Sequence, residues 1–143
     1  MNNSNIMNKS IIHPIYVWKK FAKEKDFTAW HGTEKRKAGD FYYKISDQSR
    51  GLKPADVVWA DRSGLWLVEA KIIPDYTFNL NAFQDQQITA LNLVWDLCQR
   101  SKVLIYSKKT QEYVEILWGD LLILLNGTTS AKLFEKSSRV ISD

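Results

Sequence analysis

The sequence predicts an α/β fold: a mixed central β-sheet flanked by helices. Three observations carry this. Short segments rich in β-branched and aromatic residues, with two-residue alternation, recur at 41–45, 55–61 and 65–72. The segment 82–100 repeats apolar residues at three- and four-residue spacing, as a long helix does. After it comes "KVLIYSK", a nearly continuous apolar run of the kind found in strands buried on both faces. The resulting order, αβββαβ(β)α, suits a layered α/β plan.

The 143 residues argue for one domain, expected over 13–143, behind a flexible Asn/Ser-rich arm at 1–12. In "HPIYVWKKFAKEK" (13–25), Ile15, Trp18, Phe21 and Ala22 fall at helical spacing, with Pro14 in the first turn. This predicts a first helix there, followed by a basic loop, "HGTEKRKAGD", whose middle could extend it. "FYYKI" is the first strand. "ADVVWAD" and "LWLVEAKI" form a hairpin across the turn "RSG". The long helix should place Phe83, Gln87, Ala90, Leu91, Val94 and Leu97 on one side. "TQEYVEILW" reads as a fifth strand and "GDLLILLNG" as a short helix stopped by Asn126 and Gly127. The tail from Thr128 has no evident element.

Composition narrows the chemistry. A single cysteine, Cys98, excludes an intrachain disulfide and a cysteine-built zinc site. Its helical neighbours make it a small core residue. The two histidines, His13 and His31, stand in polar surroundings and pair with no nucleophile. The longest apolar run, Leu121 to Leu125, is far short of the roughly 20 residues that span a bilayer. The first ten residues lack the apolar stretch of a secretory signal, so an intracellular, cytoplasmic setting is expected. The net charge of +4 permits a polyanionic partner without demanding one.

The strand "WLVEAK" poses the functional question. Side chains alternate along a strand, so Glu69 and Lys71 share a face while Ala70 points to the other. Counting from a turn centred between Ser63 and Gly64, Asp56 falls opposite Lys71 and diagonal to Glu69. Two carboxylates and an ammonium would then meet at one sheet edge. Hard oxygen donors suit Mg²⁺, and a lysine beside them could stabilise charge on a phosphoryl group. The same three charges also fit a surface salt bridge on the solvated end of a hairpin, and a Glu-x-Lys triplet is common.

The stretch from Lys53 to Leu91 also resembles the catalytic region of the PD-(D/E)XK nuclease superfamily. More narrowly, it is similar to RecU-like Holliday-junction resolvases and their short phage-type relatives. The residues that carry the resemblance are "PAD" at Pro54–Asp56, "EAK" at Glu69–Lys71, "TFNLNAF" at Thr77–Phe83 and "QDQQI" ending at Gln87 and Ile88. It covers roughly residues 40–92 and lies in the order and spacing of those motifs.

The resemblance implies a restriction-endonuclease-like core and Mg²⁺-dependent hydrolysis of DNA, with Mn²⁺ able to take its place. Asp56 and Glu69 would be metal ligands, together with the Ala70 carbonyl. Lys71 would be the catalytic lysine, and Gln87 would position the water or the phosphate. The sequence departs from the family pattern in the first helix, where an aromatic-Glu pair is missing. Glu24, Glu34 and Asp47 are the available substitutes.

Lys35, Arg36, Lys37, Arg50 and Lys53 cluster before the hairpin, with Lys108 and Lys109 after the fourth strand. These could neutralise DNA phosphates, with the arm around Lys9 as a further contact. No base-reading motif is present, which points to recognition of DNA shape and backbone. The implied substrate is a branched duplex. Its two-fold symmetry calls for a homodimer with two sites. Two other readings stay open: a nuclease of this fold acting in restriction or repair, and a non-catalytic DNA-binding module.

Overall fold

The computed structural model describes residues 12–46, 53 and 55–136. Lys9 and the rest of the proposed arm up to residue 11, and also Asp47, Arg50 and Pro54, lie outside the described residues. Ile12 packs against the core.

The elements run β1 (Ile15–Tyr16), α1 (Glu24–Lys37), β2 (Phe41–Lys44), β3 (Val57–Asp61), β4 (Gly64–Ile73), β5 (Thr77–Asn79), α2 (Asp85–Cys98), β6 (Ser101–Ser107), β7 (Glu112–Leu117), α3 (Trp118–Leu125) and β8 (Ser130–Lys132). Six strands make one mixed sheet in the order β1-β7-β6-β4-β3-β2, and β5 pairs with β8 in a separate ribbon. β4 and β6 are the parallel pair, which requires a crossover, and α2 supplies it. The molecule is therefore an α/β fold with a mixed central sheet and helices on both faces.

β6 explains the layering. All seven of its residues are buried. Val103 and Ile105 join the core beneath α2 and α3, with Leu91, Trp118 and Leu121. Leu104 and Tyr106 join the core on the other face, with Phe27 of α1, Val57 and Val68. A central strand covered on both sides has no position for a polar alternation, hence the continuous apolar run. On β4 the same alternation sends Val68 and Ala70 towards α1 and Ile73 towards α2.

The first helix is displaced from its expected place. Residues 15–17 are extended: Ile15 pairs with Tyr113, Tyr16 with Glu112, and Val17 donates to the Gln111 carbonyl at 2.8 Å. The spacing of Ile15, Trp18 and Phe21 imitates a helix, but only Phe21 of the three is buried. The real helix begins at Glu24 and takes in the segment read as a basic loop. Its charges suit the helix dipole, with Glu24 and Asp26 in the first turn and Lys35, Arg36 and Lys37 in the last. Its inner face is unusual: Phe27, Thr28, His31 and Gly32. Gly32 is needed because a Cβ there would come within 2.7 Å of the Tyr42 ring. His31 is not in polar surroundings but fully buried, with Nδ1 3.0 Å from the Tyr42 hydroxyl.

Three smaller expectations also change. Leu97 is 76% exposed rather than on the inner face of α2. Two successive three-residue steps from Leu91 turn a side chain about 120° away from it, and the packed face runs instead through Ile88, Leu91 and Trp95. Cys98, the last residue of α2, is exposed and not a core residue. The tail forms β8, paired with β5 about 50 residues earlier in the chain, and buries Leu133 and Phe134.

α3 ends at Asn126 in the left-handed conformation, as its sequence predicts. It buries Trp118, Leu121 and Leu125, and leaves Ile123 half exposed. Among the described residues no helix is long and apolar enough to cross a membrane.

Candidate active site

The site arises because β4 outruns β3. Pairing with β3 ends at Val57, opposite Val68, while β4 continues beside β6 to Ile73. Alternate N–H groups of a strand point to the same side. Leu67 donates towards the β6 side, so Ala70 and Ile72 face the side that β3 has left. Carboxylates take these two donors. Asp56 Oδ2 accepts from Ala70 at 2.9 Å, and Glu24 Oε2 accepts from Ile72 at 3.4 Å. The Ala70 carbonyl shares the side of its own N–H and faces the same opening.

The hairpin register differs from the sequence count. The loop is Arg62–Ser63, with Asp61 opposite Gly64. Asp61 Oδ1 accepts from the Ser63 N–H at 2.8 Å, and Gly64 has a φ of 131° that glycine tolerates. Moving the turn centre by one residue moves each partner by two. Asp56, one residue before Val57, therefore stands level with Glu69 and not with Lys71.

Glu69 is 1% exposed. Its Oε1 accepts from Gln87 Nε2 at 2.8 Å and lies 3.9 Å from Lys71 Nζ. Its Oε2 is buried and meets no donor among the described residues. Burial pushes the Glu69 carboxyl up to about 9, and the charge of nearby Asp56 adds to the rise. Lys71 and Lys53 pull the other way without offsetting it. Two carboxylates side by side can hydrogen-bond only if one keeps a proton. In this buried corner Glu69 is the one that keeps it.

Gln87 has both ends occupied. Its Oε1 accepts the Gln84 N–H at 2.8 Å, completing a reciprocal cap at the start of α2. That bond requires Oε1 as acceptor and so directs the amide nitrogen at Glu69. Gln87 thus reaches Glu69 itself, and the second N–H of its amide takes part in neither bond. Lys71 is 14% exposed at its side chain and lies 5.4 Å from the Phe83 ring centre.

Lys53 pairs with Asp56 Oδ1 at 3.0 Å and belongs to the carboxylate cluster, not to an outlying basic patch. Glu24 reaches the same strand edge but is bound to backbone. Glu34 sits ten residues further along α1, about 15 Å away, and pairs with Lys37. No group of three or more Asp, Glu, His or Cys side chains is placed to hold a metal among the described residues.

The basic residues divide into two sets. Lys35, Arg36 and Lys37 lie at the far end of α1, about 17–20 Å from Glu24. Lys35 covers the Trp59 ring, and Arg36 donates to the Tyr42 carbonyl at 2.9 Å. They are not brought to the carboxylates. Lys108 and Lys109 are at the site's end of the sheet, just past β6: the Lys108 N–H donates to the Ile73 carbonyl, and Lys109 lies over Tyr76. Lys132 of β8 covers the same Tyr76, a placement that no local pattern announces. Lys19, Lys20 and Lys23 join this end because Tyr106 holds the loop before α1.

Compared with known proteins, the sequence matches no family model and no curated protein. Among solved structures, this chain is similar to Hjc of Archaeoglobus fulgidus, a Holliday junction resolvase from an archaeal hyperthermophile. The TM-score is 0.47 at 12% identity, and the match covers 68% of this chain and 89% of that one.

Proposed function

We propose that this protein is a metal-dependent, structure-selective DNA endonuclease that resolves four-way junctions by paired phosphodiester hydrolysis. One observation carries the hydrolytic reading. Asp56 and Glu69 are pressed together at an open strand edge with Lys71, and Glu69 Oε2 is buried without a donor. A buried carboxylate in that state is costly unless a cation or a proton answers it.

The donor set fits Mg²⁺, which prefers hard oxygen ligands and keeps several waters. Asp56, Glu69 and the Ala70 carbonyl would hold it, and Mn²⁺ would serve in its place. When bound, the ion supplies Lewis acidity at the scissile phosphate and lowers the pKa of a bound water. The chain's own residues do the rest. Gln87 fixes the rotamer of Glu69, so that one oxygen is committed and the other, buried and without a donor among the described residues, is left for the cation. Asp56 is held by Ala70 and by Lys53, which neutralises it before substrate arrives. Lys71, one pleat beyond Glu69 on the same face, is placed to donate to a phosphoryl oxygen as charge builds there. Glu24 completes the edge by closing the backbone at Ile72.

The similarity to junction resolvases at Pro54–Asp56, Glu69–Lys71 and Gln87 supplies the substrate. The lysines at the site's end of the sheet suit a DNA backbone. A homodimer would present two sites to the two-fold symmetric junction.

The test is cleavage of a synthetic four-way junction and a matched linear duplex, by wild type, Glu69→Ala and Lys71→Ala, with Mg²⁺ or EDTA. Paired nicks on the junction, reduced at least about 100-fold by either substitution and abolished by EDTA, are expected. Equal cleavage of both substrates would keep the nuclease and remove the junction. Tight DNA binding without cleavage under any condition would leave a binding module.

A further inference from the structure

The loop between β1 and α1 displays Trp18 in an arrangement that the hydrolytic site does not use. Trp18 is 73% exposed, the only tryptophan among the large exposed apolar residues of the described chain. Tryptophan is ordinarily well covered. Its backbone is nevertheless held on both sides. The Val17 N–H donates to the Gln111 carbonyl at 2.8 Å, and Gln111 Nε2 donates back to the carbonyls of Val17 and Trp18. The hydroxyl of the buried Tyr106 donates to the Lys19 carbonyl at 3.2 Å and accepts from the Phe21 N–H. The loop is fixed while the indole stands in water.

The surroundings are cationic. Lys19 Nζ is 5.4 Å from the Trp18 ring centre. Lys20 and Lys23 follow in the same loop, and Lys108 and Lys109 lie on the neighbouring connection. This is the end of the sheet at which Glu69 and Lys71 lie. β1 is three strands from β4, and the register places Ile15 level with Ile72, so Trp18 lies about 14 Å across the sheet from β4 and roughly 20 Å along it from Glu69. A rigid exposed aromatic among lysines fits a polyanion that also presents flat apolar faces. Nucleic acid has both.

We propose that Trp18 is a stacking contact for DNA. Its indole covers the open face of a base at a branch point or strand end, while Lys19 and the adjacent lysines hold the backbone. A continuous duplex hides its base faces, so the contact discriminates in favour of interrupted DNA. This deepens the junction-nuclease reading and rests on it.

The experiment measures binding by fluorescence anisotropy in EDTA, with labelled four-way junction, a duplex bearing a single-stranded flap, and continuous duplex. The proteins are wild type, Trp18→Ala, Trp18→Phe and Lys19→Ala. Because Trp18 is exposed, thermal melting of its variants should match wild type. Trp18→Ala should weaken junction and flap binding about 5- to 100-fold, with little change on continuous duplex. Trp18→Phe should recover most of the loss. Lys19→Ala should lower the salt dependence on all three substrates, which Trp18→Ala leaves unchanged. Unaltered junction and flap affinity in Trp18→Ala, or an equal loss on continuous duplex, would overturn the stacking contact and leave the nuclease reading intact. A wild-type protein that binds none of the three substrates would overturn both.

Discussion

Gln87 Nε2 donates to Glu69 Oε1 at 2.8 Å while Gln87 Oε1 accepts the Gln84 N–H at the same distance. One amide thus caps α2 and aims a carboxylate on β4. Gln87→Ala removes both functions. The cap loss should cost about 1 kcal/mol in urea denaturation. Freeing Glu69 to rotate should lower kcat on the cleaved substrate about 10- to 100-fold with KM little changed. Gln87→Glu keeps the cap acceptor but sets a second carboxylate against Glu69, so it should retain more stability than Gln87→Ala while losing at least as much kcat. A Gln87→Ala variant with full kcat would remove Gln87 from the site.

Glu69 makes the metal-free protein less stable than it could be. Its folded pKa, raised to about 9, lies well above the ordinary 4.5. The folded state therefore binds more protons than the unfolded chain between these values, and stability falls as pH rises through that window. Glu69→Gln abolishes this. The new amide can donate to Asp56 where two carboxylates competed, and its oxygen can still accept from Gln87. In EDTA at pH 7, Glu69→Gln should be about 1–3 kcal/mol more stable than wild type, with the gap narrowing towards pH 4.5. Mg²⁺ should raise the melting temperature of wild type and do less for the variant.

The parts of this site that lie close in the chain were legible in the sequence. Asp56, Glu69 and Lys71 share one hairpin, so alternation and a turn bring them together even with the turn centre misplaced by one residue. Gln87 follows from the helix after the hairpin, and its cap bond with Gln84 depends on α2 starting at Asp85. The distant parts were not legible. Glu24 reaches Ile72 only because α1 starts there, and Ile15, Trp18 and Phe21 imitate a helix in the segment before it. His31 looked solvated because its neighbours in sequence are polar, whereas its neighbours in space are Tyr42, Trp59 and Tyr113. β8 finds β5 about 50 residues away in the chain, and Lys132 goes with it.

His31 gives the fold an acid sensitivity. Burial, with the charges of Lys35 and Lys102 adding to it, lowers its pKa from 6.5 to about 3. Its Nε2 is enclosed without a partner among the described residues. The folded state keeps the ring neutral while the unfolded chain protonates below 6.5, so stability is lost as pH falls through that range. The loss should be about 2 kcal/mol between pH 6.5 and 5. His31→Phe keeps the aromatic packing and removes the titration. Urea denaturation at the two pH values should show a smaller drop for the variant. An equal drop would mean that His31 is already accessible to protons in the folded state.

Lys102 sits in the sheet where an apolar residue would be expected. It is 2% exposed, with Nζ 3.8 Å from the Trp59 ring centre, 4.2 Å from that of Trp66 and 2.9 Å from Glu115 Oε2. Arg100 covers the outer face of Trp66 at 3.7 Å, and Lys35 the far side of Trp59 at 5.2 Å. Cations and indoles thus alternate along the end of the sheet away from the carboxylates. Burial lowers the Lys102 pKa, and Glu115 opposes that. The two partners should respond unequally to removal. Glu115→Ala leaves a buried ammonium held only by the two rings and should destabilise by about 2–4 kcal/mol. Lys102→Met fills the slot with apolar volume and frees the more exposed Glu115 to turn into solvent, so it should cost under about 1 kcal/mol or stabilise. The double variant should resemble Lys102→Met. A Lys102→Met loss as large as that of Glu115→Ala would show that the cation–π contacts, and not the ion pair, keep this lysine in the sheet.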